Sequence, residues 1–443
     1  MALLLTVAAY LTGVLRGWMP PRLGQGLMPV MAGAGLVGLA CLLPPLLPAI
    51  LRAAGWVVPA GFGVEGRLAV RHLQRQRGRT GLTVSVLFAA VTAGVAFGMS
   101  FLVNLRDIDR WYGGTVDADF LVRAVAPDPG MVVLPAPLPA GTADEVRQLP
   151  GCDQVARFRF RPTRIRGLDA LVFVREFPAR GALPLTLEGA DPARVREALA
   201  RGEAVLGTAL ASRLGVGVGE EIEVPGRGGP RRLRVAALAK EYTTGGLVCC
   251  LDWNAARGWL GEDVSGLAVT ARQGEEEEFG ADLADYCARA GLLLQRNSEF
   301  AATIDRVVAG VRWFVVCMVG LVVLVAAVGV VNTLTANVLD QTRELGVLRA
   351  LGMKGGQLRK TVIAQAVTLA LASGLPGAPA GLLMAYLMNR ATAGLFGHVI
   401  PFHVEYGFVA ACLVGVVVLA VLASLPPAAR AARLAVTDAL RYE

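Results

Sequence analysis

The chain alternates long uncharged apolar stretches with one extended polar interval. Stretches free of Asp, Glu, Lys and Arg lie between Arg22 and Arg52, Arg79 and Arg106, Arg312 and Asp340, Lys360 and Arg390, and Glu405 and Arg430. Each reaches the roughly 20 residues that an α-helix needs to cross the hydrocarbon core of a bilayer. A shorter apolar stretch, residues 2–15, has no basic start and runs into Arg16-Gly17-Trp18 instead of a small-residue cleavage site. It reads as a weak span, not a signal peptide. The alternative is the remnant of a fuller helix in a longer protein.

The polar interval predicts an α+β domain. Alternating strand-like runs appear in "DADFLVR" at 117–123, "RRLRVAAL" at 231–238 and "GLAVTAR" at 266–272. Four glutamates at 275–278 place acid at a helix start, followed by Leu283, Tyr286, Cys287 and Ala290 at helical spacing. From about Phe300 a helix is expected to run through Ile304, Val307 and Val308 into the next span.

Composition agrees with a membrane protein: 54% of residues are hydrophobic. The formal net charge of +8 does not call for nucleic acid, because the basic residues cluster beside the spans. Those clusters set orientation. The run "RHLQRQRGR" at 71–79, the segment with Arg343, Arg349, Lys354, Arg359 and Lys360, and the basic tail after Pro427 all belong inside. The polar interval and the short loop at 391–405, which has no Lys or Arg, then face outside. Arg16 and Arg22 of the first hairpin fit this scheme less well. Of the seven cysteines, Cys41, Cys317 and Cys412 lie in apolar spans as small hydrophobes. An outside domain permits a disulfide from Cys249 or Cys250 to Cys152 or Cys287.

The stretch "NVLDQTRELGVLRALGMKGGQLRK", residues 337–360, sets dense charge between two spans. Leu345, Leu348 and Leu351 recur every three residues as an apolar stripe, with Asp340, Arg343, Glu344 and Arg349 largely off it. Gly352, Gly355 and Gly356 then allow the chain to turn. Two readings fit: a helix floating in the headgroups, or one docking in a groove on a cytoplasmic partner.

No GxxxxGK[ST] phosphate loop, HExxH or GxSxG occurs, and His72, His398 and His403 are scattered in sequence. The chain is therefore read as no enzyme, with no catalytic residue, metal or cofactor. The spans carry no charge at mid-membrane, which counts against an ion-driven path.

The motif "NTLTANVLDQTRELGVLRALG" at 332–352 resembles the signature of the FtsX-like permease family, membrane subunits of ABC systems that include the MacB and Lol permeases. "GRLAVRHLQRQRGRTGLTV" at 66–84 looks like the opening of a permease unit, "GEAVLGTALASRLGVGVGEEIEV" at 202–224 is similar to the family's extracytoplasmic domain, and the tail from Pro426 resembles its closing segment. This resemblance, over residues 64 to 443, implies a multi-span α-helical membrane protein with a large α+β extracytoplasmic domain between two spans.

The expected parts are an N-terminal hairpin with linker at 1–62, a basic cytoplasmic segment and span at 63–106, the extracytoplasmic domain at 107–305, and at 306–443 a permease domain with three spans, a coupling helix at 337–352 and a basic tail. The hairpin looks like the linker spans of ten-span permeases, which would make this chain a C-terminal half. Implied partners are a cytoplasmic P-loop ATPase acting on Asp340, Arg343, Glu344, Leu345, Leu348 and Arg349, a second permease copy or companion half, and membrane lipid. Export of lipid, lipoprotein or peptide from a bacterial cytoplasmic membrane is the expected function. A transmembrane regulator that switches an outside enzyme is the alternative, and an orphaned half the third reading. Gln341 replaces a common Arg, and Gln365 an acidic residue that often begins the next span.

Overall fold

The computed structural model describes residues 2–15, 21–75, 77–115, 118–124, 136–178, 182–340 and 342–433. Helix α1 (Ala2–Leu15) has 14 residues and is about 21 Å long, short of a bilayer core. Helix α2 (Pro21–Arg75) spans 55 residues as two helical stretches that meet at a kink at Gly63. The expected linker after Arg52 is thus helical, and the bend is absorbed at Gly63, whose φ of +64° only glycine takes readily. Helix α3 (Arg77–Thr115) leads into the polar interval.

That interval contains β1 (Phe120–Arg123), α4 (Thr142–Arg147), β2 (Cys152–Ile165), β3 (Leu168–Arg175), β4 (Thr186–Leu187), α5 (Pro192–Ala200) and β5 (Ala204–Gly207). It continues through α6 (Thr208–Leu214), β6 (Glu221–Val224), β7 (Arg231–Lys240), β8 (Val248–Asp252), α7 (Trp253–Leu260), β9 (Gly266–Ala271), α8 (Glu276–Ala290) and β10 (Leu293–Arg296). Helix α9 (Asn297–Asp340) then runs unbroken for 44 residues, and α10 (Thr342–Ala350), α11 (Gly355–Phe396) and α12 (Tyr406–Arg433) complete the order.

Among the described residues four helical segments are long and apolar enough to cross a membrane: Val30–Arg75, Thr80–Gly113, Gly355–Thr392 and Tyr406–Ala432. The stretch expected as a span after Arg312 lies in α9, where the described apolar run is the shorter Ala327–Leu339. The side chains of residues 322, 323, 325 and 326 lie outside the described residues.

The chain forms two compact units, one of residues 1–103, 311–391 and 401–443, the other of residues 104–310 and 392–400. In the first, one core joins Leu47 and Leu51 of α2, Leu87 and Phe88 of α3, Val330 and Leu334 of α9, Leu369 of α11 and Val416 of α12. The glycines of α11 decide how closely it packs. A Cβ on Gly381 would come within 2.7 Å of Val95, and one on Gly377 within 3.1 Å of Val91, so α3 and α11 meet nearly backbone to backbone. Gly374 serves α12 in the same way, 3.2 Å from Leu413. The hydroxyls of Thr83 and Thr333 share a hydrogen bond, which ties the Asn332-Thr333-Leu334 motif to α3. Gln365, expected at the membrane boundary, is 3% exposed, with its Nε2 3.4 Å from His72 Nδ1.

The second unit is a mixed sheet of ten strands in the order β10-β1-β9-β2-β3-β8-β5-β7-β4, with β6 beside β7. Pairs β3–β8 and β5–β7 are parallel. Local chemistry sets its corners. Arg166 and Gly167 both take positive φ, +48° and +80°, as a two-residue hairpin joining Ile165 to Leu168 requires. Asp191 and Asp252 cap α5 and α7 by accepting backbone N–H bonds, and the glutamates of α8 lie in its first turn as expected. One core gathers Leu206, Leu210, Ile222, Trp253 and Leu260; another places Phe120 edge-on to Phe279 at 5.6 Å.

The disulfide permitted by the sequence does not form, since all seven cysteines are free. Adjacent residues of a strand point to opposite faces, so Cys249 enters the core of Leu206 and Trp253 while Cys250 enters that of Leu199 and Val205. Burial pushes the Cys249 thiol up to about 12 and raises that of Cys250 as well. Both thiols are expected to resist a maleimide in the folded, full-length chain at pH 7.5 and to react after denaturation without reductant. Mass spectrometry of the labelled peptides checks this, and rapid labelling of either native thiol would contradict the packing.

Candidate functional site

The connection between α9 and α11 carries the charge-rich motif. Helix α9 ends at Asp340, α10 covers Thr342–Ala350, and Gly352 at φ +98° closes the turn before α11 begins. Gly352 and Met353 donate backbone N–H bonds to the carbonyls of Arg349 and Leu348, the αL ending that glycine permits. The segment is thus a short helix held between two long ones. Gln341 and the side chains of Asp340, Arg343 and Leu345 lie outside the described residues.

The remaining candidate residues divide between two sides. Leu348 is half-buried and packs on a cluster of Val338, Leu358, Val362, Ala428 and Ala431, drawn from α9, α11 and α12. Gly346 is buried as well. Leu351, by contrast, is 79% exposed and Val347 44% exposed. The leucine stripe therefore splits: Leu348 anchors the helix to its own bundle, and Leu351 with Val347 faces away. Arg349 is half-buried and engaged in a contact.

Glu344 accepts a hydrogen bond from the Arg75 guanidinium at 2.9 Å, across 269 residues of sequence. Their side chains are 49% and 75% exposed, so the pair adds well under about 1 kcal/mol to stability. Both groups stay available to another surface. Arg75 is a member of the site that the sequence did not single out; its place in the basic run 71–79 explained it as an orientation signal alone. Within the described residues no group of His, Cys, Asp or Glu is arranged to hold a metal.

The two sides of α10 should respond differently to the same change. Leu348→Asp would bury a carboxylate in an apolar cluster and is expected to cost roughly 2 kcal/mol or more. Leu351→Asp, out in the open, should leave stability within about 0.5 kcal/mol. Thermal unfolding of the detergent-purified full chain distinguishes them, and equal losses would place Leu351 in the core instead.

Known proteins share both units. Residues 80–286 match the family model of the MacB-like periplasmic core domain, and residues 316–436 match that of the FtsX-like permease C-terminal domain. An uncharacterized ABC transporter permease of Mycobacterium tuberculosis is 24% identical over 449 residues, covering 97% of this chain and 51% of that protein. The uncharacterized permease YknZ of Bacillus subtilis is 32% identical over 145 residues, 33% of this chain and 35% of its own. The macrolide export ATP-binding/permease protein MacB of Nitrobacter winogradskyi is 34% identical over 117 residues, 26% of this chain and 17% of its own. This chain spans about half the length of the mycobacterial relative.

Proposed function

We propose, for a chain that belongs to the FtsX-like permease family and carries a MacB-like periplasmic core domain, that it is the membrane subunit of an ABC-type export or mechanotransmission complex. ATP hydrolysis is assigned to a separate P-loop subunit on the cytoplasmic side. The nucleotide-driven motion of that subunit would be received at residues 337–352 and passed to the α+β domain, which the positive-inside pattern puts outside. Lipids, lipoproteins or peptides are the cargo classes this reading favours, in a bacterial cytoplasmic membrane and with a second permease copy or companion half.

The observation that carries the reading is the exposed face of α10 and its C-terminal turn. Val347 and Leu351 offer apolar surface beside the open Arg75–Glu344 pair. Leu348, meanwhile, fixes the helix to the bundle behind it. A partner can thus gain from apolar contact on the free side and take register from the charges. Any push is delivered to a helix already attached to α9, α11 and α12. Transmission further requires that the nucleotide states of the partner differ in contact energy at this surface.

Affinity isolation of the chain from its native membrane in mild detergent, with mass spectrometry and an ATPase assay of the eluate, tests the docking role. A P-loop ATPase is expected to co-purify, with recovery at least fivefold lower for Leu351→Asp and for the double change Arg343→Ala/Glu344→Ala. Recovery of the chain without an ATPase, or undiminished capture by both variants, would return α10 to a helix lying in the headgroups.

A further inference from the structure

The connection between α11 and α12 carries a feature that docking at α10 does not use. Its residues 392–400 belong to the same compact unit as the α+β domain. Gly397 makes this possible. At φ +73° a Cβ would fall 2.0 Å from the carbonyl oxygen of Thr208, so only a glycine lets the connection lie against the first turn of α6. The seat itself is equally close-packed. A Cβ on Gly207 would meet the Gly246 carbonyl oxygen at 2.3 Å, and one on Gly246 would meet Ala209 at 2.9 Å.

His398 follows Gly397 and is only 3% exposed. Its Nδ1 lies 3.0 Å from Thr208 Oγ1, and its Nε2 lies 3.3 Å from Asp107 Oδ2. Asp107, 5% exposed, also receives the Lys240 ammonium on Oδ1 at 3.4 Å and a hydrogen bond from the Tyr242 hydroxyl on Oδ2. The carboxylate can only accept, so in the neutral ring the hydrogen sits on Nε2 and Nδ1 accepts from the Thr208 hydroxyl. Burial and the neighbouring carboxylate both raise the Tyr242 phenol, which keeps it a donor. Tyr242 also packs edge-on to Trp111 at 5.5 Å and to His398 at 6.0 Å.

Hydroxyl, imidazole and carboxylate in series would suit nucleophilic catalysis, but Thr208 is 1% exposed and sits beneath the connection. No substrate can reach it. The same burial suits a fastening. Removing one partner from a buried, fully bonded charge cluster leaves the others unsatisfied, so the cluster holds or opens as a whole.

We infer that His398 is a positioning residue that pins the α11–α12 connection to the α+β domain at Thr208 and to the domain end of α3 at Asp107. Three chain segments that continue into apolar helices or into the domain core meet on one imidazole. A displacement of α3, α11 or α12 would therefore reach the domain through this seat together with the covalent links. The inference rests on the permease reading for its purpose, but the fastening stands on its own contacts.

Hydrogen–deuterium exchange on the full chain in lipid nanodiscs, alone and with the co-purified ATPase, tests it. His398→Ala is expected to speed exchange at least tenfold in peptides covering 397–405 and 208–214, with peptides from β2 and β3 unchanged as the control for folding. In the complex it should abolish the nucleotide-dependent exchange difference within the domain while ATPase capture persists. His398→Gln, which keeps a donor toward Asp107, should restore at least half of that difference. A Thr208→Cys/His398→Cys staple should form under mild oxidation and bring the difference to within twofold of the native chain's, whereas the reduced double variant should lack it.

Unchanged local exchange in His398→Ala would overturn the pin. A persisting nucleotide response in that variant, or a formed staple that fails to restore the response, would overturn its part in transmission. A native complex with no nucleotide response would instead sink the permease reading, and the pin would then stand or fall on local exchange and staple formation.

Discussion

A bilayer offers no hydrogen-bond partner to a peptide group, and the helical unit is built around that constraint. Backbone groups must be satisfied within each helix. Because lipid tails are as apolar as leucine, the helices then associate through close contact and polar bridges instead of through the hydrophobic effect. Gly377 and Gly381 let α11 approach α3 until Val95 stands where a side chain would begin. The Thr92 hydroxyl donates to the Gly377 carbonyl across that contact, and the Thr83–Thr333 bond brings in α9. These are small groups at defined positions, so the packing depends on a few residues among many interchangeable apolar ones.

The α+β unit obeys the other solvent. Its sheet buries Leu206, Ile222, Phe279 and Leu283 at 1% exposure or less, and burial of this kind is driven by water. The chain enters it along α3 and leaves along α9, and the Tyr112 hydroxyl donates to Asn297 Oδ1 at 2.7 Å where the two helices pass through this unit. Entry and exit are therefore joined within this unit.

Elements whose pattern depends on their own neighbours in sequence were legible. The runs at 117–123 and 266–272 contain β1 and β9, the run at 231–238 makes up most of β7, and the acidic start at 275 opens α8. The family signature at 332–352 was legible too, and both family domains lie where its motifs pointed. Contacts between distant segments were not. His398 is one of two histidines in a connection without Lys or Arg, and its partners Thr208 and Asp107 lie 190 and 291 residues away. Leu348 and Leu351 share a three-residue spacing that cannot say which of two apolar surroundings each one faces. Cys249 and Cys250 face two cores while their expected partners Cys152 and Cys287 lie in a third, a separation that cysteine positions in the sequence do not reveal. Gln365 looked like a boundary residue because depth along α11 depends on how α2 packs beside it.

The two charge clusters differ in a way that bears on transmission. Arg75 and Glu344 are open to solvent, where an ion pair is weak, screened by salt and readily exchanged for another partner. Asp107, Lys240 and His398 are largely buried, with side-chain exposures of 6%, 18% and 0%, where losing one partner is costly. A surface that must bind and release on each nucleotide cycle is better served by the first kind. A joint that must not slip under load is better served by the second. If the chain works as proposed, compliance belongs at α10 and stiffness at His398, and a partner's push would otherwise be lost in rearranging the connection before the domain moved.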